Sequence, residues 1–214
     1  DFGRQGDKPT HPELLDYLAV TFQEKGWDLK WLTKEIMMSQ VNRQGSAEVA
    51  ECMQEDPSAK LLWRKPPLRL EAETIRDSML RVSGLLQTKM YGRQEPLKRG
   101  PDGQWLEDDA KGNPNRRSLY LQQSRTRPVA FLHAFDAPTM TADNMTQRFR
   151  SALPSQSLAL LNNPLLLRTT KAFAAQVLEQ SKGDVEQALQ LAVRAAYTRP
   201  ATERELALGK RAAA

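Results

Sequence analysis

Six arginines, Arg116, Arg117, Arg125, Arg127, Arg148 and Arg150, are the side chains of this sequence best suited to binding chemistry. A guanidinium is planar and permanently charged, and it grips carboxylate, sulfate or phosphate through two parallel hydrogen bonds. If the segments around residues 116–127 and 148–150 meet in space, the six form an anion site. The competing reading is a set of surface arginines with structural ion pairs to Glu71, Glu73 and Asp77.

Three further constellations bear weighing. His133 with Asp136 and Asp143 has the composition of a general base with an orienting carboxylate, or of part of a metal site. Its spacing matches no strong motif, and His133 sits in the apolar run Val129 to Phe135, which suits a structural histidine equally. Glu71, Glu73 and Asp77 resemble paired carboxylates for glycoside hydrolysis. Glu73 and Asp77 stand four residues apart with Arg69, Arg76 and Arg81 nearby, so helix-dipole and ion-pair roles also explain them. The methionines Met37, Met38, Met79, Met90, Met140 and Met145 have no paired His or Cys motif and read as packing residues. No Gly-rich phosphate loop, Gly-x-Ser-x-Gly elbow or His-Glu-x-x-His is present.

Composition narrows the classes. The 214 residues suffice for a real core, and 40% hydrophobic with 27% charged is ordinary for a folded protein. No window approaches the ~20 apolar residues of a membrane span. Cys52 is the only cysteine, so an intrachain disulfide, a cysteine metal cluster and a Cys-x-x-Cys-His haem attachment are all excluded. No cofactor and no metal are expected in this chain. The net charge of +5 permits binding to anionic polymers. The Lys and Arg residues are scattered, without the stripe of a nucleic-acid domain, so nucleic acid is not an expected partner. The opening Asp-Phe-Gly-Arg-Gln-Gly reads as the middle of something, and the chain is expected to be part of a longer polypeptide.

The elements that must position these residues are mostly helical. Thr10 and Glu13 have capping-box spacing ahead of a helix from Pro12, with Leu14, Leu15, Leu18 and Phe22 on one face. Asp28 caps a second helix with Leu29, Leu32 and Ile36 buried. A third helix is predicted over about 69–88, with Ile75, Met79, Val82 and Leu86 as its core stripe. Residues 92–117 are Gly- and Pro-rich, with Trp105 as the only large aromatic, and read as a long surface-loop insertion. Ser118 to Gln122 alternates and is the one candidate strand. Pro128 to Phe135 reads as a short helix. Pro154, Asn163-Pro164, Asp184 and Thr202 with Glu205 each open a helix in the C-terminal third, and the short connections imply antiparallel neighbours. The expected fold is mainly α: a single multi-helix, bundle-like domain over 1–214, with at most a small β element near 118–122.

Several strings carry a family likeness: residues 1–15 (DFGRQGDKPTHPELL), 61–77 (LLWRKPPLRLEAETIRD), 117–121 (RSLYL), 135–138 (FDAP), 153–163 (LPSQSLALLNN) and 197–206 (YTRPATEREL). In this order and spacing the chain resembles the planctomycete cytochrome-associated C-terminal domain of unknown function, number fifteen fifty-three. The resemblance runs across essentially the whole chain. It implies an exported, extracytoplasmic protein, periplasmic or extracellular, with upstream domains in the same polypeptide that often include a c-type cytochrome. It brings no established activity and no catalytic residues. Asn42 stands where an aromatic is expected before Arg43-Gln44, and the family's denser arginine run is reduced to Gln147-Arg148-Phe149-Arg150. The expected role is an accessory module that binds an anionic polysaccharide or a partner domain through its arginines. The alternative is part of a hydrolase or cytochrome-linked oxidoreductase whose active site lies at the junction with an upstream domain.

Overall fold

The computed structural model describes residues 6, 8–138, 148 and 150–213. The chain divides into two compact units, Asp1–Arg69 and Leu70–Ala214.

The first unit holds α1 (Pro12–Glu24), α2 (Leu29–Met38) and the short α3 (Ala50–Glu55). Asp28 caps α2 as expected, its carboxylate accepting from the Lys30 N–H at 2.8 Å. The capping box expected at Thr10 and Glu13 does not form. Thr10 Oγ1 shares a hydrogen bond with His11 Nδ1 instead, His11 takes the N-cap position, and Pro12 begins the helix. Leu18, Phe22, Trp31 and Leu32 are half-buried, and neither helix has a fully buried residue. The order that follows α3 comes from a polar staple. The Asp56 carboxylate accepts from the Leu61 N–H at 2.7 Å and from Ser58 Oγ at 3.1 Å, while its carbonyl accepts from Trp63 Nε1 at 2.9 Å. The Leu61 hydrogen bond is the main reason that the Asp56 pKa lies below the ordinary aspartate value.

The second unit runs α4 (Ala72–Val82), β1 (Leu97–Arg99), β2 (Trp105–Glu107), a 3₁₀ turn (Ser118–Tyr120), α5 (Ala130–Ala134), α6 (Pro154–Asn162), α7 (Pro164–Gln180), α8 (Val185–Tyr197) and α9 (Glu203–Ala213). The fold is mainly α with a small β element, but that element lies elsewhere than expected. It is the antiparallel pair β1–β2, in register Leu97 with Glu107 and Arg99 with Trp105. The turn Gly100-Pro101-Asp102-Gly103 closes it. Gly103 adopts φ 81°, which suits a residue without Cβ, and the Gly100 N–H reaches the Gln104 carbonyl at 2.7 Å. Ser-Leu-Tyr at 118–120 is a turn because its ends are tied: the Tyr120 N–H donates to the Arg117 carbonyl and Ser118 is clamped by Asp77. Residues 92–117 therefore carry the hairpin and two buried charged side chains, Asp108 and Arg116.

The core of this unit gathers Ala72 and Leu80 of α4, Leu121, Val129, Phe131, Leu132 and Phe135 around α5, and Leu165 of α7. The Phe131 and Phe135 rings lie 4.9 Å apart. α4 is shorter than predicted, because Ser83 caps it and Gly84 turns away with φ 71°. Its buried edge is Ala72, Arg76, Leu80 and Ser83, with the expected Ile75, Met79, Val82 and Leu86 half-buried beside it. From α6 to α9 each helix packs on its successor. Asn163 and Asp184 supply the expected caps. Thr202 and Glu205 form the reciprocal box expected before α9. Among the described residues no helix is long and apolar enough to cross a membrane.

Candidate functional site

The α4 surface is where several of the expected charged residues come together. Arg76 lies in the middle of the helix's buried edge and is 0% exposed. Each nitrogen of its guanidinium is bonded: Nε donates to Glu107 Oε1 at 2.8 Å, Nη1 to the Arg116 carbonyl at 2.9 Å and Nη2 to the Pro114 carbonyl at 2.5 Å. One helix residue thereby anchors β2 and the chain at 114–116. Beside it, Asp77 Oδ1 accepts from both the N–H and the Oγ of Ser118 at 2.7 Å. The buried charges are therefore paired and hydrogen-bonded, as burial requires.

Arg116 performs the same task from the opposite direction. It is 5% exposed, ion-paired to Glu95 at 2.9 Å, and donates to the carbonyls of Lys89, Tyr91 and Arg93. Its guanidinium also lies 3.9 Å over the Tyr120 ring. Burial pushes the Glu95 carboxyl up, but the Asn113 N–H and Arg116 outweigh it, and its pKa ends below the ordinary glutamate value. Arg116 holds the 89–95 segment with both of its Nη groups, while its remaining donor, Nε, is buried without a hydrogen-bond partner.

The other five arginines are dispersed. Arg117 and Arg148, alone of the six, line a cleft of ≈ 820 Å³ along α4. The cleft also contains Glu71, Glu73 and Asp77. Arg148 reaches Glu71 at 3.1 Å and Glu73 at 2.7 Å, and Arg117 stands 3.8 Å from Asp77. Carboxylates thus face the arginines in the cleft, which leaves little net attraction for an anion. Arg125 is exposed and lines a small recess with His133. Arg127 stacks over Trp105 at 5.2 Å, and Arg150 is exposed.

His133 is exposed at the end of α5. Asp136, in a left-handed turn with φ 59°, accepts from the Ser151 N–H at 2.7 Å and from its Oγ. The carboxylate is occupied in fastening the chain that leads into α6. Asp143 lies outside the described residues. Among the described residues no group of three or more His, Cys, Asp and Glu is placed to hold a metal ion.

The buried network of Arg76, Glu107, Ser118 and Glu95 was not singled out by spacing. A signal for Arg76 was present, because it falls four residues after Ala72 and four before Leu80, on one helical edge. No comparable signal exists for Glu95 or Glu107, whose partners come from distant segments. No curated protein and no solved structure matches this chain. A family model described as PSD1, protein of unknown function (DUF1553), matches residues 1–213, and the chain belongs to that family.

Proposed function

We propose that this chain is an accessory docking module of a larger exported protein, seated on a partner domain through the outer faces of α1 and α2. One observation carries the reading: neither helix buries a residue, although both are rich in large apolar side chains. Leu14, Leu15, Tyr17 and Val20 of α1 and Leu29, Ile36, Met37 and Met38 of α2 are all exposed. Burying one such side chain fully is worth about 1.5–3 kcal/mol, and apolar surface on this scale marks an interface. The polar positions of α1 include Glu13, Asp16 and Glu24, and those of α2 include Lys30 and Lys34. A fitting partner surface is apolar with charges of both signs at its rim.

The planctomycete origin, the extracytoplasmic setting and the association with a cytochrome-bearing polypeptide belong to the same proposal and rest on the sequence strings. An anionic polysaccharide is the weaker ligand, because Arg116 is consumed in the core and Arg117 and Arg148 are faced by carboxylates. The test is calorimetric titration of the chain with the remaining domains of its parent protein. The expected result is binding that survives Arg117→Ala with Arg150→Ala and falls at least about 100-fold in Leu15→Glu with Ile36→Glu. Absence of binding, or loss with the arginines rather than the apolar residues, overturns the proposal.

A further inference from the structure

A second concave surface in the Leu70–Ala214 unit has a different chemistry. The β1–β2 turn, β2, α5 and α6 enclose a pocket of ≈ 920 Å³. Its size is that of a small-molecule site. Trp105, Leu158 and Pro164 supply apolar surface to its lining, and the Arg127 guanidinium lies 5.2 Å from the centre of the Trp105 ring. Gln104, His133, Ser155 and Asn162 also line the pocket. The side chains of Gln104, His133 and Ser155 make no hydrogen bond to another described residue, and Asn162 donates only to the Leu158 carbonyl of its own helix. The one charged residue in the lining is Asp102, whose carboxylate already accepts from the Gln104 N–H at 3.1 Å. No lysine or arginine lines the pocket.

We propose that this pocket binds a neutral pyranose unit of a glycan. The apolar C–H face of a pyranose carries slight positive charge, and an indole face is negative, so the two stack. The hydroxyls at the sugar's edge are both donors and acceptors. Amide, imidazole and hydroxyl groups share the lining with Trp105, and such groups can satisfy sugar hydroxyls as donors and acceptors. A nucleotide or a sulfated sugar would bring an anion to a pocket lined by an aspartate and by no lysine or arginine. A lipid tail would leave the polar ring unpartnered. The pocket uses no residue of α1 or α2, which belong to the other unit, so the two proposals are tested independently.

The experiment is saturation-transfer and indole N–H NMR on the chain, with cellobiose, mannobiose and chitobiose as neutral probes and glucuronic acid and galactose 4-sulfate as anionic ones. At least one neutral disaccharide is expected to shift the Trp105 indole resonance, and the anionic sugars to leave it unmoved. Trp105→Ala is expected to weaken binding about tenfold or more, the scale of one lost aromatic contact. Because Trp105 also belongs to the hairpin, Ser155→Phe serves as a second variant that fills the pocket from the exposed start of α6. It is expected to abolish binding while the thermal transition stays in place. Silence of all neutral probes, preference for the anionic ones, or undiminished binding by Ser155→Phe overturns the proposal.

Discussion

Arg76 and Arg148 show how differently two arginines of one surface can matter. Arg76 is sealed beneath β2 and the 114–118 segment, with each of its three guanidinium nitrogens bonded to Glu107, Ser118 or a carbonyl. Arg148 bridges Glu71 and Glu73 in reach of water. Removing one partner of a buried pair strands the other charge, whereas an exposed pair is screened and entropically weak. Arg76→Ala is expected to cost about 3–5 kcal/mol in chemical denaturation. Arg148→Ala is expected to cost under about 1 kcal/mol. Equal effects would mean that the α4 network is not what holds the 92–118 segment. The difference between the two was hidden in the sequence for a physical reason. The carbonyls, Glu95 and Glu107 that fix Arg76 and Arg116 lie 21 to 40 residues away along the chain, beyond the reach of spacing rules.

At the level of elements, what could be read in advance is what local chemistry decides. Asp28, Asn163, Asp184 and the Thr202–Glu205 box each act within three residues of themselves, and each caps the helix expected of it. The Ser118–Tyr120 turn was read as a strand because alternation is also local, while the Asp77 clamp that overrides it comes from 41 residues away. The α9 box makes a pH prediction. The Arg199 guanidinium, with the Thr202 N–H and hydroxyl, lowers the Glu205 pKa from 4.5 to about 2. A depressed folded-state pKa adds stability that is complete above the ordinary value of 4.5 and is lost as pH falls through about 2. Amide exchange at the start of α9 should therefore accelerate across that window. Glu205→Gln should remove the acid dependence, with exchange already faster at pH 6. Wild-type exchange that is flat from pH 6 to 2, apart from intrinsic acid effects, would show that the box does not secure the helix.

For the whole molecule, the uneven burial of apolar side chains is the governing fact. The Leu70–Ala214 unit has a core of its own around α4, α5 and α7, whereas in the first unit Ala59 is the one buried apolar side chain among the described residues. Stability should be distributed accordingly, because opening is easiest where few apolar contacts are buried. The most direct test is hydrogen exchange on the chain, alone and with the proposed upstream partner domains added. The account predicts that the α1 and α2 amides exchange rapidly in the isolated chain while α4 and α7 stay protected, and that the partner slows α1 and α2 selectively. Strong protection of α1 and α2 in the isolated monomer, or no change when the partner is added, would contradict it.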